Sequence, residues 1–282
     1  MLGAFAFLVG VGGAPLMSIN MGAGREDEAR RLLSNSFLIL CVCAVVLTAA
    51  VFPLQRPMLM FFGASETTYP YAEEYFSIYL CGTAFNLLSL GMNQFIISQG
   101  FAKKGMFSVV LGAALNIVLD PLFIFVFDMG VAGAAVATVL SQLASCVYVL
   151  CVLFGRTVPV RIGFGRYSLR LVGRILVTGI SPFLIIFVDS IMIISMNAVL
   201  QSYGGPELGD RLITCATIAQ SFMLVVTMPL GGISGGTQTI LAFNFGAHRR
   251  DRILEAQKHI TLLCVGYTAI MFALARLAGG LF

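Results

Sequence analysis

Long apolar runs, interrupted by short charged or turn-forming segments, organise this chain. Eight runs stand out: 2–22, 34–53, 71–99, 106–127, 130–154, 174–200, 210–245 and 258–280. Each approaches or exceeds the roughly 20 residues an α-helix needs to cross the hydrocarbon core of a bilayer. None alternates with the period of two that a barrel strand would show. The pattern predicts eight membrane-spanning helices. The breaks are legible as GAGREDEARR, QRPMLMFFGASETTYP, GFAKKG, FDMG, RTVPVRIGFGRYSLRLVGR, QSYGGPELGDR and AHRRDRILEAQKH. The seventh run is too long for one straight crossing, and Pro229 with Gly231, Gly232, Gly235 and Gly236 predicts a bend inside it.

Composition agrees and excludes the soluble alternatives. Of 282 residues, 59% are hydrophobic and only 11% charged, against about 25% charged in a soluble domain. A soluble enzyme, a disordered chain and a disulfide scaffold are all excluded. The seven cysteines fall inside apolar runs and read as small apolar helix residues. No Cys/His spacing points to a metal, and no phosphate-binding Gly-Lys-Ser/Thr loop points to an ATPase.

The net charge of +4 gains meaning only from where the basic residues lie. Arg25, Arg30 and Arg31, then Lys103 and Lys104, then Arg156, Arg161, Arg166, Arg170 and Arg174, then Arg249, Arg250, Arg252 and Lys258 occupy alternate loops. That places fourteen of the 17 basic residues on one side, leaving Arg56, Arg211 and Arg276 on the other. By the positive-inside rule the rich side is cytoplasmic, and the strict alternation supports the span count. Nothing in this distribution implies a nucleic-acid partner.

An internal repeat explains why the first span runs inward with no basic segment before it. Asn20, Gly22, Ala23 and Arg25 recur as Asn244, Gly246, Ala247 and Arg249 at a constant offset of 224, and Gly12 matches Gly236 at the same offset. The repeat unit then contains six spans. An even number means that both copies enter the bilayer in the same sense, as parallel repeats about an axis along the membrane normal. On this reading the chain holds five spans of a first six and three of a second six. It divides into an amino-terminal lobe (1–155), a basic cytoplasmic linker (156–173) and the first three helices of a carboxy-terminal lobe (174–282).

Two carboxylates lie deep in apolar runs, Asp120 in LNIVLDPLFIF and Asp189 in LIIFVDSIMII. A charge at the centre of a membrane helix costs about 2.5–3.5 kcal/mol on insertion scales, so such residues need a reason to be there. Asn116 precedes Asp120 by four residues and shares its helix face. Pro121 removes a backbone donor and leaves carbonyls free to bind a cation. The small residues from Gly130 to Ala137 allow close helix approach, which would bring Thr138 near the carboxylate. Asp120 is then placed to take a proton or Na⁺ from outside and release it inside; the alternative is a structural buried aspartate. Asp189 reads either as a second cation or substrate carboxylate or as a packing residue hydrogen-bonded to Ser190 or Ser195. Asn86, Asn93 and Gln94 could line a pathway or serve as interhelical hydrogen bonds.

The segments Asn116-Ile-Val-Leu-Asp120-Pro121, Asp128 through Gln142, Gly179-Ile-Ser-Pro182 and Pro229 through Ala247 together resemble the multidrug and toxic compound extrusion (MATE) family. The resemblance extends over the chain, from that family's second helix to its ninth. It implies an all-α polytopic membrane protein of twelve helices in two six-helix lobes, here truncated to about eight spans. It further implies a prokaryotic inner-membrane antiporter, working as a monomer without an organic cofactor, that exports organic cations or amphiphilic drugs in exchange for Na⁺ or H⁺. Asn116, Asp120 and Thr138 match the family's amino-lobe cation positions, with no metal beyond Na⁺ at Asp120. The family's further acidic ligand on its first helix has no counterpart in this sequence. Two rival functions differ in chemistry. A lipid-linked oligosaccharide flippase would carry basic residues mid-span, and none occurs. An intramembrane aspartyl protease would carry Gly-x-Gly-Asp, whereas these aspartates sit in Val-Leu-Asp-Pro and Phe-Val-Asp-Ser.

Overall fold

The computed structural model describes residues 2–61, 69–165 and 167–278, so Arg166 lies outside the described residues. The described residues form helices α1 (Leu2–Gly22), α2 (Glu26–Val51), α3 (Gln55–Phe61), α4 (Tyr69–Cys81), α5 (Thr83–Ser98), α6 (Ala102–Pro121), α7 (Gly130–Phe154), α8 (Leu169–Gly246) and α9 (Arg250–Ala278). Among them seven helical stretches are long and apolar enough to cross a membrane, or eight when α4 and α5 count as one bent span. The expected limits of the first and fifth spans coincide with α1 and α7.

Elsewhere the helices depart from the hydropathy pattern in instructive ways. The second span continues beyond residue 53: Phe52–Leu54 tighten into a 3₁₀ turn with Pro53 near its start, and α3 carries on to Phe61. A proline at the head of a turn loses no bond, because its missing N–H would be unpaired there anyway. The third span is broken by a 53° bend between α4 and α5. Gly82 sits at the break, where a side chain would meet Val139 of α7 at 2.6 Å.

The largest departure is α8, whose 78 residues stay helical through the expected break at 200–210 and through Pro229. A straight helix of that length would measure about 117 Å, while the 21 residues of α1 span about 32 Å. Yet α1 touches α8 near both ends. Phe5 packs edge-on against Phe183 at 5.2 Å, Gly12 abuts Ile175 and Gly179, and Gly22 abuts Phe243 and Ala247. The arms Leu169–Leu200 and Arg211–Gly246 therefore fold back towards one another. The first arm runs antiparallel to α1, because residue numbers fall along α8 as they rise along α1. At Pro229 the missing N–H leaves the Val225 carbonyl without its helical donor. Tyr267 of α9 compensates, lying 3.5 Å from Val225 O and donating to Val226 O at 3.1 Å.

The expected repeat is physical as well as textual. After α1, Arg25 N–H donates to Asn20 O and Gly24 N–H to Met21 O; after α8, Arg249 N–H donates to Asn244 O and His248 N–H to Phe245 O. Both ends are Schellman caps. Their left-handed residues, Gly24 (φ 72°) and His248 (φ 55°), are 224 positions apart. Asn20 Nδ2 donates to Leu16 O and Asn244 Nδ2 to Ile240 O, each at 2.9 Å. The two copies also face one another reciprocally. A side chain on Gly22 would meet the Phe243 carbonyl oxygen, and one on Gly246 would meet the Ile19 carbonyl oxygen. Phe243 is the repeat equivalent of Ile19, so a local two-fold relation runs through this crossing.

The buried core lies where α1, α2, α5 and the inner end of α7 converge, around Met17, Leu33, Leu40, Leu87, Phe95 and Leu153. The stretch between α7 and α8 is docked onto this core. Val158, Val160 and Ile162 are buried. Val160 N–H donates to Gln99 Oε1 at 2.8 Å, Gly163 N–H to Ser34 Oγ at 3.1 Å and Ser168 N–H to Asn35 Oδ1 at 3.0 Å. Most large apolar side chains of α8 and α9 are exposed, the arrangement expected of surfaces solvated by lipid tails. All seven cysteines are free.

Candidate functional site

Two cavities adjoin at the middle of the molecule. The larger, about 660 Å³, is a cleft with α1, α5 and α6 on one side and both arms of α8 on the other. Its walls are apolar (Phe7, Val11, Met106, Pro182, Ile185 and Ile186 among them), with Asn93, Gln94, Ser234, Gln238 and Thr239 as polar points. Among the described residues no charged side chain lines it. Gly231, Gly232, Gly235 and Gly236 leave open space where side chains would stand, so bare helix backbone forms part of the wall.

The smaller cavity, about 280 Å³, lies inside the amino-terminal bundle between α5, α6 and α7. Its polar lining repeats at helical spacing on each helix: Asn86, Ser89 and Asn93 on α5; Ser108 and Asn116 on α6; Thr138, Ser141, Gln142 and Ser145 on α7. These stripes run together for about 11 Å along the bundle at 1.5 Å per residue. Asn93 and Val109 line both cavities and form the partition between them. Asn93 Oδ1 is 3.2 Å from Ser108 Oγ, which also lies 2.7 Å from Gly105 O, so one hydroxyl proton serves two acceptors.

The expected amino-lobe residues converge here. Asn116 and Thr138 line the polar cavity from facing helices. Asp120 stands one turn along α6 and accepts a 3.0 Å hydrogen bond from Asn116 Nδ2. Thr138 Oγ1 donates back to Ala134 O at 2.9 Å rather than to the carboxylate. Pro121 ends the regular part of α6, and Leu122–Val126 form a wide π turn in which Phe127 N–H reaches Leu122 O. Residues with chemistry cluster at such irregularities because backbone groups are released from the helix ladder.

Asp189 is placed differently. It is exposed and follows Ile185 and Ile186 of the cleft wall by one helical turn. Of the two serines expected as partners, Ser190 is otherwise engaged, its Oγ donating to Ile186 O at 2.8 Å. Among the described residues there is no cluster of metal-ligating side chains. Ser108, Ser141, Gln142 and Ser145 escape a hydropathy reading, which tolerates single polar residues in apolar runs; their shared spacing on consecutive spans is the signal that exposes them.

The MatE family model matches residues 1–122. The multidrug export protein MepA of Staphylococcus haemolyticus is 23% identical over 98% of this chain and 60% of its own length. MepA of Staphylococcus aureus is 24% identical over all of this chain and 64% of its own. The chain thus spans under two thirds of these relatives. Among solved structures, an outward-facing multidrug resistance MATE transporter superposes with a TM-score of 0.88 at 24% identity, over 97% of this chain and 61% of that one. A MATE structure in its straight conformation gives 0.88 at 24% identity, over 98% and 62%. Family model, relatives and fold agree in what the chain is similar to: its first 122 residues match the MatE model, and its described helices take the fold of solved MATE transporters.

Proposed function

We propose that the protein to which this chain belongs is a secondary multidrug antiporter, exporting organic cations or amphiphilic drugs in exchange for Na⁺ or H⁺. The observation that carries this reading is the pairing of two unlike cavities across one thin partition. An apolar, uncharged cleft suits a drug-sized amphiphile, because apolar walls supply affinity and a few amides fix orientation. A polar cavity beside it holds Asn116 and Thr138 next to Asp120. An intramembrane carboxylate that accepts one bond from a neutral amide keeps most of its acceptor capacity for a cation. Alternating access couples the two when the lobes part at one end while closed at the other. MepA, named a multidrug export protein in two staphylococci, supports the substrate class.

Asp189 supplies a second reading of substrate capture. Its position one turn beyond Ile185 and Ile186 makes it a carboxylate at the edge of the cleft, suited to a substrate's positive group. The uncharged cleft disfavours the flippase alternative, which would need basic side chains for its phosphates. The test is efflux of a cationic dye from vesicles holding the protein in its full length, driven by an imposed Na⁺ or H⁺ gradient. Efflux that follows one of these ions and is lost in Asp120→Asn supports the proposal; efflux with unchanged ion dependence in that variant refutes it.

A further inference from the structure

We propose that Gln142 is an inner ligand for Na⁺ in the polar cavity, one helical turn inward of Thr138, so that the ion is passed from Asp120 along the cavity towards Asn93. The inference rests on the reading of Asp120 as the cation carboxylate and adds a station to it. Three observations carry it.

Gln142 Oε1 is buried and has no hydrogen-bond partner among the described residues, although its residue lines the cavity. Buried acceptors in native proteins nearly always have a partner, so an orphan one calls for a water or an ion. The neighbouring hydroxyls do not satisfy it. Thr138 Oγ1 donates to Ala134 O, Ser141 Oγ to Ala137 O and Ser145 Oγ to Ser108 O, at 2.8–2.9 Å.

The same bonds decide the sign of the guest. Ser89 donates to Asn86 O, and Ser108 lies within bonding distance of Gly105 O and Asn93 Oδ1. With their protons committed to oxygen acceptors, these hydroxyls turn lone pairs towards the cavity. Together with the free Gln142 oxygen they make an acceptor-rich wall. Neutral oxygen ligands of this kind replace the hydration shell of a hard cation.

The third observation is placement. α5 and α7 run inward and α6 runs outward, so Asn86, Asn116 and Thr138 share the outer level. Asn93, Ser108 and Ser145 share the inner level, and Gln142 lies between. A cavity of about 280 Å³ holds an ion with several waters at about 30 Å³ each.

The test is equilibrium binding of ²²Na⁺ to the purified chain in lipid nanodiscs, since this cavity lies wholly within residues 86–145. Gln142→Met keeps the length of the side chain and removes the oxygen. It is expected to weaken Na⁺ binding about tenfold or more with an unchanged melting temperature, while Gln142→Glu, which restores an oxygen, retains binding. Asp120→Asn is the reference and is expected to abolish binding. Unchanged affinity in Gln142→Met with binding lost in Asp120→Asn would overturn this inference and leave the antiporter reading standing. Wild-type affinity in Asp120→Asn would overturn the reading beneath it, and no saturable binding by the unaltered chain would overturn the assignment of Na⁺. Should Gln142→Met fail to fold, Gln142→Asn withdraws the oxygen by one methylene and is expected to weaken binding similarly; unchanged affinity there counts against the proposal.

Discussion

The reciprocal glycine crossing between α1 and the second arm of α8 makes a sharp mechanical prediction. In Gly22→Ala the new methyl group would overlap the Phe243 carbonyl oxygen and stand 2.9 Å from the Phe243 carbonyl carbon and 3.0 Å from the Ala247 amide nitrogen. All three are backbone atoms, so no side-chain rotation relieves the clash and the two helices must separate. Overpacking of this kind costs about 1–3 kcal/mol. The crossing adjoins Arg25 and Arg249, at the cytoplasmic end of the cleft, so the penalty falls on the state closed at that end. A bias of that size moves a two-state equilibrium about 5- to 150-fold. Gly246→Ala meets the Ile19 carbonyl in the same manner. One displacement relieves both contacts, so the double variant is expected to fall short of the sum of the single ones. The assay is the labelling rate, from the cytoplasmic face, of Ser234→Cys in the cleft wall by an impermeant maleimide, in a background with the native cysteines replaced. Each glycine variant should speed labelling at least fivefold, with less than multiplicative gain in the pair. Unchanged labelling and melting in both single variants, or fully independent effects in the pair, would refute the reciprocal crossing.

Two further outcomes follow from single contacts. His248 holds a left-handed backbone that its repeat counterpart fills with Gly24, so His248→Gly should stabilise the protein by about 1 kcal/mol, read as a raised melting temperature. Gln99→Leu removes the acceptor of the buried Val160 N–H and should cost about 1–3 kcal/mol; limited trypsin digestion should then cut faster at Arg156 and Arg161, while unchanged cleavage would show that the linker is not held there.

How much of this was legible in the sequence depends on the residue. Apolar length alone located α1 and α7, because Gly24 and the Asp128–Gly130 turn punctuate them clearly. The five matches at offset 224 carried the two-fold relation, since a cap sequence repeats only where its geometry does. Helix continuity was less legible. Pro53 falls where a helix can accept it, and Tyr267 repairs the damage at Pro229, a partner that lies 38 residues further along the chain and is invisible to local patterns. At the site, Asp120 announced itself through the cost of its charge and drew Asn116 with it by spacing. Gln142 did not, because an uncharged amide in an apolar run is tolerated until its neighbours' hydrogen bonds are known. Asp189 was flagged on the same grounds as Asp120, yet its surroundings differ: it is exposed and sits one turn beyond the cleft wall.

The claim at the centre of this account is that drug and ion move in opposite directions through one protein, tied together at Asp120. It is tested most directly by loading vesicles with substrate on one side only, with no ion gradient and no membrane potential, and following the ions. Substrate leaving down its own gradient is expected to drive Na⁺ or H⁺ the other way, and Asp120→Asn is expected to abolish this counterflow. Substrate movement without ion counterflow, or counterflow of wild-type size in Asp120→Asn, would contradict it.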